Sequence, residues 1–332
     1  MSAVLTLVGA YGSPYTRKIR AVLRYRRISF RWIVRGSTDD VGIPAVPVNL
    51  IPVLVFPGGE AMIDSTFQIR RLEAASPERS VAPPDPGVRF LDALIEDYGD
   101  EWVTKPMFHY RWAYAPDAAR ASRVLPLDAR PQLDAPSHAA MAEAFARRQI
   151  DRLAVVGSNP TTAPVIEASY RRLLGVLDER FAVAPFLFGP RPATADFALF
   201  GQLSQLTQFD PTPAALAADV APRTIAWVNR MDDLASLEIP DWPARDAAPL
   251  RPLLAEIGRT YVPFLLANAS ALAAGAAEVT CRIDGATWTQ RPFPYQAKCL
   301  RWLREAYAAL GAGDRRWVDD AVAGTGCERL VG

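Results

Sequence analysis

Residues 4–34, VLTLVGAYGSPYTRKIRAVLRYRRISFRWIV, decide the fold. VLTLV, residues 4–8, is a short apolar run that reads as a buried strand. Pro14 stands where a helix can begin, because a proline at the first helical position lacks only an N–H that would have no partner anyway. Ile19, Val22 and Leu23 follow at helical spacing, and FRWIV, residues 30–34, reads as a second strand. Strand, helix and strand make a β-α-β unit, which sheet twist closes with a right-handed crossover.

Working outward, residues 36–49 form a loop, and VLVF (53–56) and AMI (61–63) flank PGGE as an antiparallel hairpin. A helix over 65–75 follows, with Ile69 and Leu72 inward, so the order is β-α-β-loop-β-β-α. SPERSVAPPDPG, residues 76–87, is rich in proline and polar residues and reads as the linker to a region without strands. Helical patterns then cover about 88–114, 137–156, 163–182, 194–208 and 222–235, with a proline-rich insertion near 116–136. Beyond 245 come an apolar helix near 250–274, a hairpin turning on Asp284-Gly285, a helix over 294–310 and a short end. The expected division is 1–78, a linker at 79–87, 88–245, and a C-terminal extension 246–332 packed on the helical domain. Cys299 falls on the apolar stripe of that last helix and is expected to be buried and inert.

Composition removes several classes of function. With 37 basic and 36 acidic residues the net charge is +1, which supplies no global field for nucleic acid. The three cysteines, Cys281, Cys299 and Cys327, have neither the clustering of a disulfide framework nor that of a zinc site, so a reducing cytoplasm is expected. His109 and His138 stand too far apart for a metal centre. MSAVLTLVGAYG lacks a basic region ahead of a long apolar run, so no signal peptide is expected. The longest uncharged run, Tyr261 to Ala277, falls short of a bilayer span and contains Pro263, Asn268 and Ser270; a membrane segment is not expected. Residues 17–35 hold Arg17, Lys18, Arg20, Arg24, Arg26, Arg27, Arg31 and Arg35 and no acid, which reads as a solvated helix face or as a field steering a small anion.

Ser13, just before Pro14, lies at a helix start, where unpaired N–H groups and the helix dipole favour an anion. A thiol with an ordinary pKa of about 8.5 gains about 1.4 kcal/mol of thiolate preference for each unit by which such donors lower it. On its own, Ser13 reads as a plain N-cap.

Three further stretches carry a resemblance. NLIPVL (49–54), Asp64-Ser65 about a dozen residues later, and PFLFGPRPATADFALFGQL (185–203), together with the Ser13-Pro14-Tyr15 loop, resemble the serine-type glutathione S-transferases over about residues 4–235. The resemblance implies a thioredoxin-like N-terminal domain with a mixed sheet, an all-helical second domain with an extra tail, and a homodimer. It implies Ser13 as the residue that holds the glutathione thiolate, with Tyr11 and Tyr15 as alternative hydroxyls. Pro52 is the expected cis residue, and Ile51 is expected to offer its backbone to glutathione as an added strand. Ser65 and the helix N–H groups are expected to take the γ-glutamyl carboxylate, with Asp64 on the amine side.

Asp196 is expected to cap its own helix start, although Ala193 supplies no hydroxyl for the reciprocal half. Leu50 replaces a polar residue common in the family, which weakens the polar grip on the tripeptide. Tyr110 and Tyr114, in the aromatic-dense segment 101–114, read either as core or, with Tyr11, as lining for an apolar electrophile's cleft. The implied activity is conjugation of glutathione, as co-substrate, to that electrophile; no metal, nucleic acid or membrane is expected to take part. A ligand carrier or partner-docking protein that retains the fold without turnover is the alternative.

Overall fold

The computed structural model describes residues 4–331. Strand β1 (Leu5–Gly9) leads into helix α1 (Pro14–Tyr25), and the chain returns as β2 (Phe30–Val34), parallel to β1 with Leu5 opposite Phe30. The Ser13 side chain caps α1 and Pro14 opens it, while Ile19, Val22 and Leu23 turn inward and are buried. β3 (Val53–Val55) runs antiparallel to β1, with Val53 opposite Val8. β4 (Ala61–Met62) then pairs with β3, giving a mixed sheet in the order β2-β1-β3-β4, and α2 (Ser65–Ala75) packs back against α1. This is the thioredoxin-like unit anticipated above.

The rest is helical apart from one hairpin. α3 (Pro86–Glu101), α4 (Thr104–Ala113), α5 (Ala115–Val124), α6 (Ala135–Ile150), α7 (Ala163–Val183), α8 (Thr194–Gln208), α9 (Pro211–Val220) and α10 (Pro222–Met231) form the second body. α8 is buried from Thr194 to Thr207 and packs on both α1 and α3. Its close approach to α1 needs Gly201, where a Cβ would lie 2.5 Å from the Pro14 carbonyl oxygen. Asp196 accepts from the N–H groups of Ala193 and Leu187, both at 2.9 Å, and makes its half of the capping pair.

The C-terminal extension contains α11 (Arg251–Ala273), the hairpin β5 (Val279–Ile283) and β6 (Ala286–Gln290), α12 (Pro294–Ala308) and α13 (Ala312–Val322). α11 lies on α7 and α3, and α12 and α13 also lie on α3. Trp288 enters the same core as Trp102 and Phe264, and Cys299 is buried. No helix among the described residues is long and apolar enough to cross a membrane.

Four expectations need correction. The pattern read as one helix over 88–114 is two, because the chain turns at Trp102 and Val103 before α4. The proline-rich stretch 116–136 contains α5 and a 3-10 turn at 125–128, since Pro116 and Pro126 fall in first turns, where no N–H is lost. α9 and α13 were not anticipated; both are short, at 10 and 11 residues.

Finally, the basic cluster is only in part a solvated face, with Arg27 and Arg31 exposed. Lys18 is fully buried, and Arg17 pairs with Asp232, Arg26 with Glu73 and Arg35 with Asp40. Acids outside 17–35 therefore pair with Arg17, Lys18, Arg24, Arg26 and Arg35 and offset part of the field that the stretch taken alone suggests.

Candidate functional site

Register brings the N-terminal motifs to one end of the sheet. β1 ends at Gly9, the antiparallel β3 begins at Val53 opposite Val8, and β4 ends at Met62 opposite Leu54. The segments 10–13, 51–52 and 63–65 therefore emerge side by side.

Ser13 Oγ accepts the Thr16 N–H at 3.2 Å. That bond uses an acceptor lone pair and leaves the hydroxyl proton to be donated. The Ile51-Pro52 bond is cis, and the Ile51 N–H and C=O make no protein hydrogen bond among the described residues. Gln68, buried on α2, donates to the carbonyls of Pro52 (3.0 Å) and Met62 (2.8 Å) and so ties this turn to the hairpin.

Asp64 caps α2 through Thr66 N–H (3.1 Å) with a backbone φ of 75°, a left-handed value that aspartate tolerates better than most residues. Ser65 is buried, and its hydroxyl has no hydrogen-bond partner among the described residues. Tyr295, from the extension, donates to Asp64 Oδ2 at 2.5 Å.

Beneath these groups lies a buried ionic cluster. Lys18 Nζ contacts Glu96 (2.7 Å), Asp100 (2.6 Å) and Thr66 Oγ1 (3.5 Å), joining α1, α2 and α3. Burial opposes its charge, but Asp100 and Glu96 outweigh burial and hold the ammonium above its ordinary value. Burial pushes Asp100 up to about 6 against the pull of Lys18. Burial likewise pushes Asp97 up to about 7 and Glu101 up to about 8, the latter helped by the neighbouring Asp97 and Asp100.

Arg111 was not singled out from the sequence. Its guanidinium spans Asp210 (2.9 and 3.0 Å) and Gln205 Oε1 (2.8 Å), and donates to Gly12 O (2.9 Å). A buried fork on α4 thus fixes the loop that carries Ser13.

The alternative hydroxyls are otherwise engaged. Tyr15 donates to Asp100 O at 2.9 Å, and burial, then Glu101, pushes its pKa well up. Tyr11 is 41% exposed; its hydroxyl accepts from Trp32 Nε1 (3.1 Å), and the Arg20 guanidinium lies over both rings.

Tyr110 and Tyr114 stack on each other at 5.2 Å and face α7. Tyr110 packs on Tyr170, and Tyr114 donates to Glu167 Oε1 at 2.7 Å. Tyr11 thus packs with Trp32 and Arg20, while Tyr110 is buried. His109 sits between Ser158 (2.8 Å) and Glu167 (3.1 Å), and burial lowers its pKa. Among the described residues no group of three or more potential ligands is arranged to hold a metal ion.

Two open cavities of about 430 Å³ lie elsewhere. One is bounded by Arg304, Tyr307 and Arg315, the other by Pro83, Phe188 and Trp242. Neither is lined by Ser13, Ile51 or Asp64.

Residues 7–80 match the family model described as glutathione S-transferase, N-terminal domain. A curated protein of Escherichia coli strain K12, the uncharacterized GST-like protein YibF, is 30% identical over 102 residues, covering 29% of this chain and 50% of that protein. The chain thus spans about half the length of the curated relative it matches. Among solved structures, a GST-like protein from Pseudomonas syringae aligns at 18% identity and a TM-score of 0.44, covering 74% of this chain and 78% of that one. A glutathione S-transferase from Rhodospirillum rubrum F11 aligns at 17% identity and a TM-score of 0.44, covering 89% and 99%.

Proposed function

We propose that the chain is a glutathione-dependent transferase that joins the glutathione thiolate to a small apolar electrophile. The observation that carries this reading is the convergence at one sheet end of three groups with unspent hydrogen-bonding capacity: the Ser13 hydroxyl proton, the Ile51 backbone and the Ser65 hydroxyl. Their segments lie within the stretch that matches the N-terminal-domain family model.

In this reading the Ile51 N–H and C=O pair with the extended tripeptide as an added strand. Ser65 and the first N–H groups of α2 take the γ-glutamyl carboxylate, and Asp64 takes the amine. Ser13 donates its proton toward the sulfur, which favours thiolate over thiol and lowers the thiol pKa. The thiolate then forms the carbon–sulfur bond as the leaving group departs with its electron pair. Catalysis comes from thiol ionisation and from holding two reactants close, without a covalent enzyme intermediate.

The reading includes Tyr11, Tyr110 and Tyr114 as borders of the electrophile's cleft, a homodimer, and a cytoplasmic setting. It also keeps the division into a glutathione-binding domain, a linker, a substrate domain and an extension.

Calorimetric titration with glutathione tests it, together with the ultraviolet absorbance of bound thiolate at neutral pH. Micromolar to millimolar affinity with a thiolate signal is expected; no binding at several millimolar refutes it.

A second reading, a ligand-binding protein without turnover, draws support from the apolar Leu50, 51% exposed beside the site. Glutathione binding without conjugation of any model electrophile favours it.

A further inference from the structure

The extension reaches the candidate ligand site at Asp64, and the contact is specific. Tyr295, in the first turn of α12, donates to Asp64 Oδ2 across 231 residues of chain, while Oδ1 of the same carboxylate accepts the Thr66 N–H. An ionised carboxylate has about four lone-pair sites, so these two bonds leave acceptor capacity on Asp64 and hold its plane in one orientation.

The tyrosine is itself fixed. Its ring packs edge-on against Trp302 (5.9 Å) and near Phe293 (6.5 Å), and Trp302 packs edge-on against Phe67 of α2 (5.1 Å). The start of α12 is pinned from two sides. Asn268 of α11 donates to Phe293 O (3.0 Å) and accepts from Phe293 N–H (2.8 Å), and Gln296 donates to Glu101 O (3.3 Å). Burial, with the Asp64 charge beside it, raises the Tyr295 pKa, so the hydroxyl stays protonated and a donor at neutral pH. Asp64 has the left-handed backbone that a non-glycine residue keeps only where its surroundings hold it.

We infer that α12 is part of the ligand site, with Tyr295 as a positioning residue that holds the Asp64 carboxylate for the free ammonium group of a γ-glutamyl ligand. The inference rests on the glutathione reading above and deepens it: the extension sets selectivity for ligands that carry an amine at that end. A carboxylate free to rotate loses part of its interaction with the ammonium to ordering entropy, and Tyr295 meets that cost in advance.

The test uses full-length protein, wild type and Tyr295→Phe, which keeps the ring and removes the hydroxyl. Two probes are titrated, glutathione and the analogue that lacks only the γ-glutamyl α-amino group. Unchanged thermal melting and slow Cys299 labelling verify that the variant is folded.

The expected result is about tenfold weaker glutathione binding by Tyr295→Phe, near-equal binding of the des-amino analogue by both proteins, and a raised KM for glutathione with kcat unchanged. Equal glutathione affinity in both proteins overturns the inference and leaves the transferase reading standing. Tighter binding by the variant also overturns it, because the extension then competes with the ligand. Equal weakening for both probes overturns it as well, since the effect would not pass through the amine. Failure of the wild-type protein to bind glutathione removes the transferase reading and this inference together.

Discussion

Replacing Lys18 with methionine removes the one cation among the described residues that contacts both Glu96 and Asp100, and keeps most of the side-chain volume. Lys18 is 0% exposed, and the two carboxylate side chains are 8% and 9% exposed, so water cannot take over its role. Breaking a buried ion pair by deleting one partner costs about 3–5 kcal/mol, most of it the penalty of leaving charge buried and unpaired. A loss of that size corresponds to a fall in Tm of roughly 5–10 °C.

The penalty has a pH signature. Burial already raises folded Asp100 to about 6, and without Lys18 its carboxyl rises further. A carboxyl whose folded pKa exceeds its unfolded value binds more protons when folded, so stability falls as pH rises from about 4 through the raised value. The gap between wild type and Lys18→Met therefore widens from pH 4.5 to pH 7.5 and is smallest in acid. Urea denaturation at pH 4.5, 6.0 and 7.5 measures it. A gap under about 1 kcal/mol at pH 7.5, or one constant with pH, refutes the assignment of Lys18 as the element holding these acids.

Three further outcomes are expected. Ser13→Ala raises the apparent pKa of bound glutathione and slows conjugation of a model electrophile at least about tenfold, or about 1.4 kcal/mol; an unchanged rate, with loss in Tyr11→Phe, reassigns the hydroxyl. Asp97, pushed up to about 7 in the fold, makes stability fall between about pH 4 and 7; Asp97→Asn flattens that part of the profile, and identical slopes from pH 5 to 8 disprove the assignment. Arg111→Lys keeps the charge but loses the planar fork to Asp210 and Gly12, so it destabilises by about 2 kcal/mol in denaturant titration and slows turnover through the Ser13 loop; wild-type values for both exclude the positioning role.

What the sequence determined by itself is local in chain distance. A cap three residues from its acceptor (Ser13 to Thr16), a proline opening a helix, an Asp-Ser pair at a helix start and a hairpin turning on Asp284-Gly285 are each set by neighbours along the chain. The thioredoxin-like order and the Ser13 cap were legible for that reason, whereas Ile51, Asp64 and Ser65 came forward as site candidates only through the family resemblance.

Only the tertiary structure decided that Lys18 lies beneath the site with Glu96 and Asp100, that Arg111 grips Gly12 and that Tyr295 reaches Asp64. These partners are 78, 82, 99 and 231 residues apart. No periodicity or motif encodes such pairings, because each joins two segments distant in the chain that meet only when the helices have packed. In the sequence a lysine inside an arginine-rich helix looks solvated; in the fold it is buried against two carboxylates and the Thr66 hydroxyl.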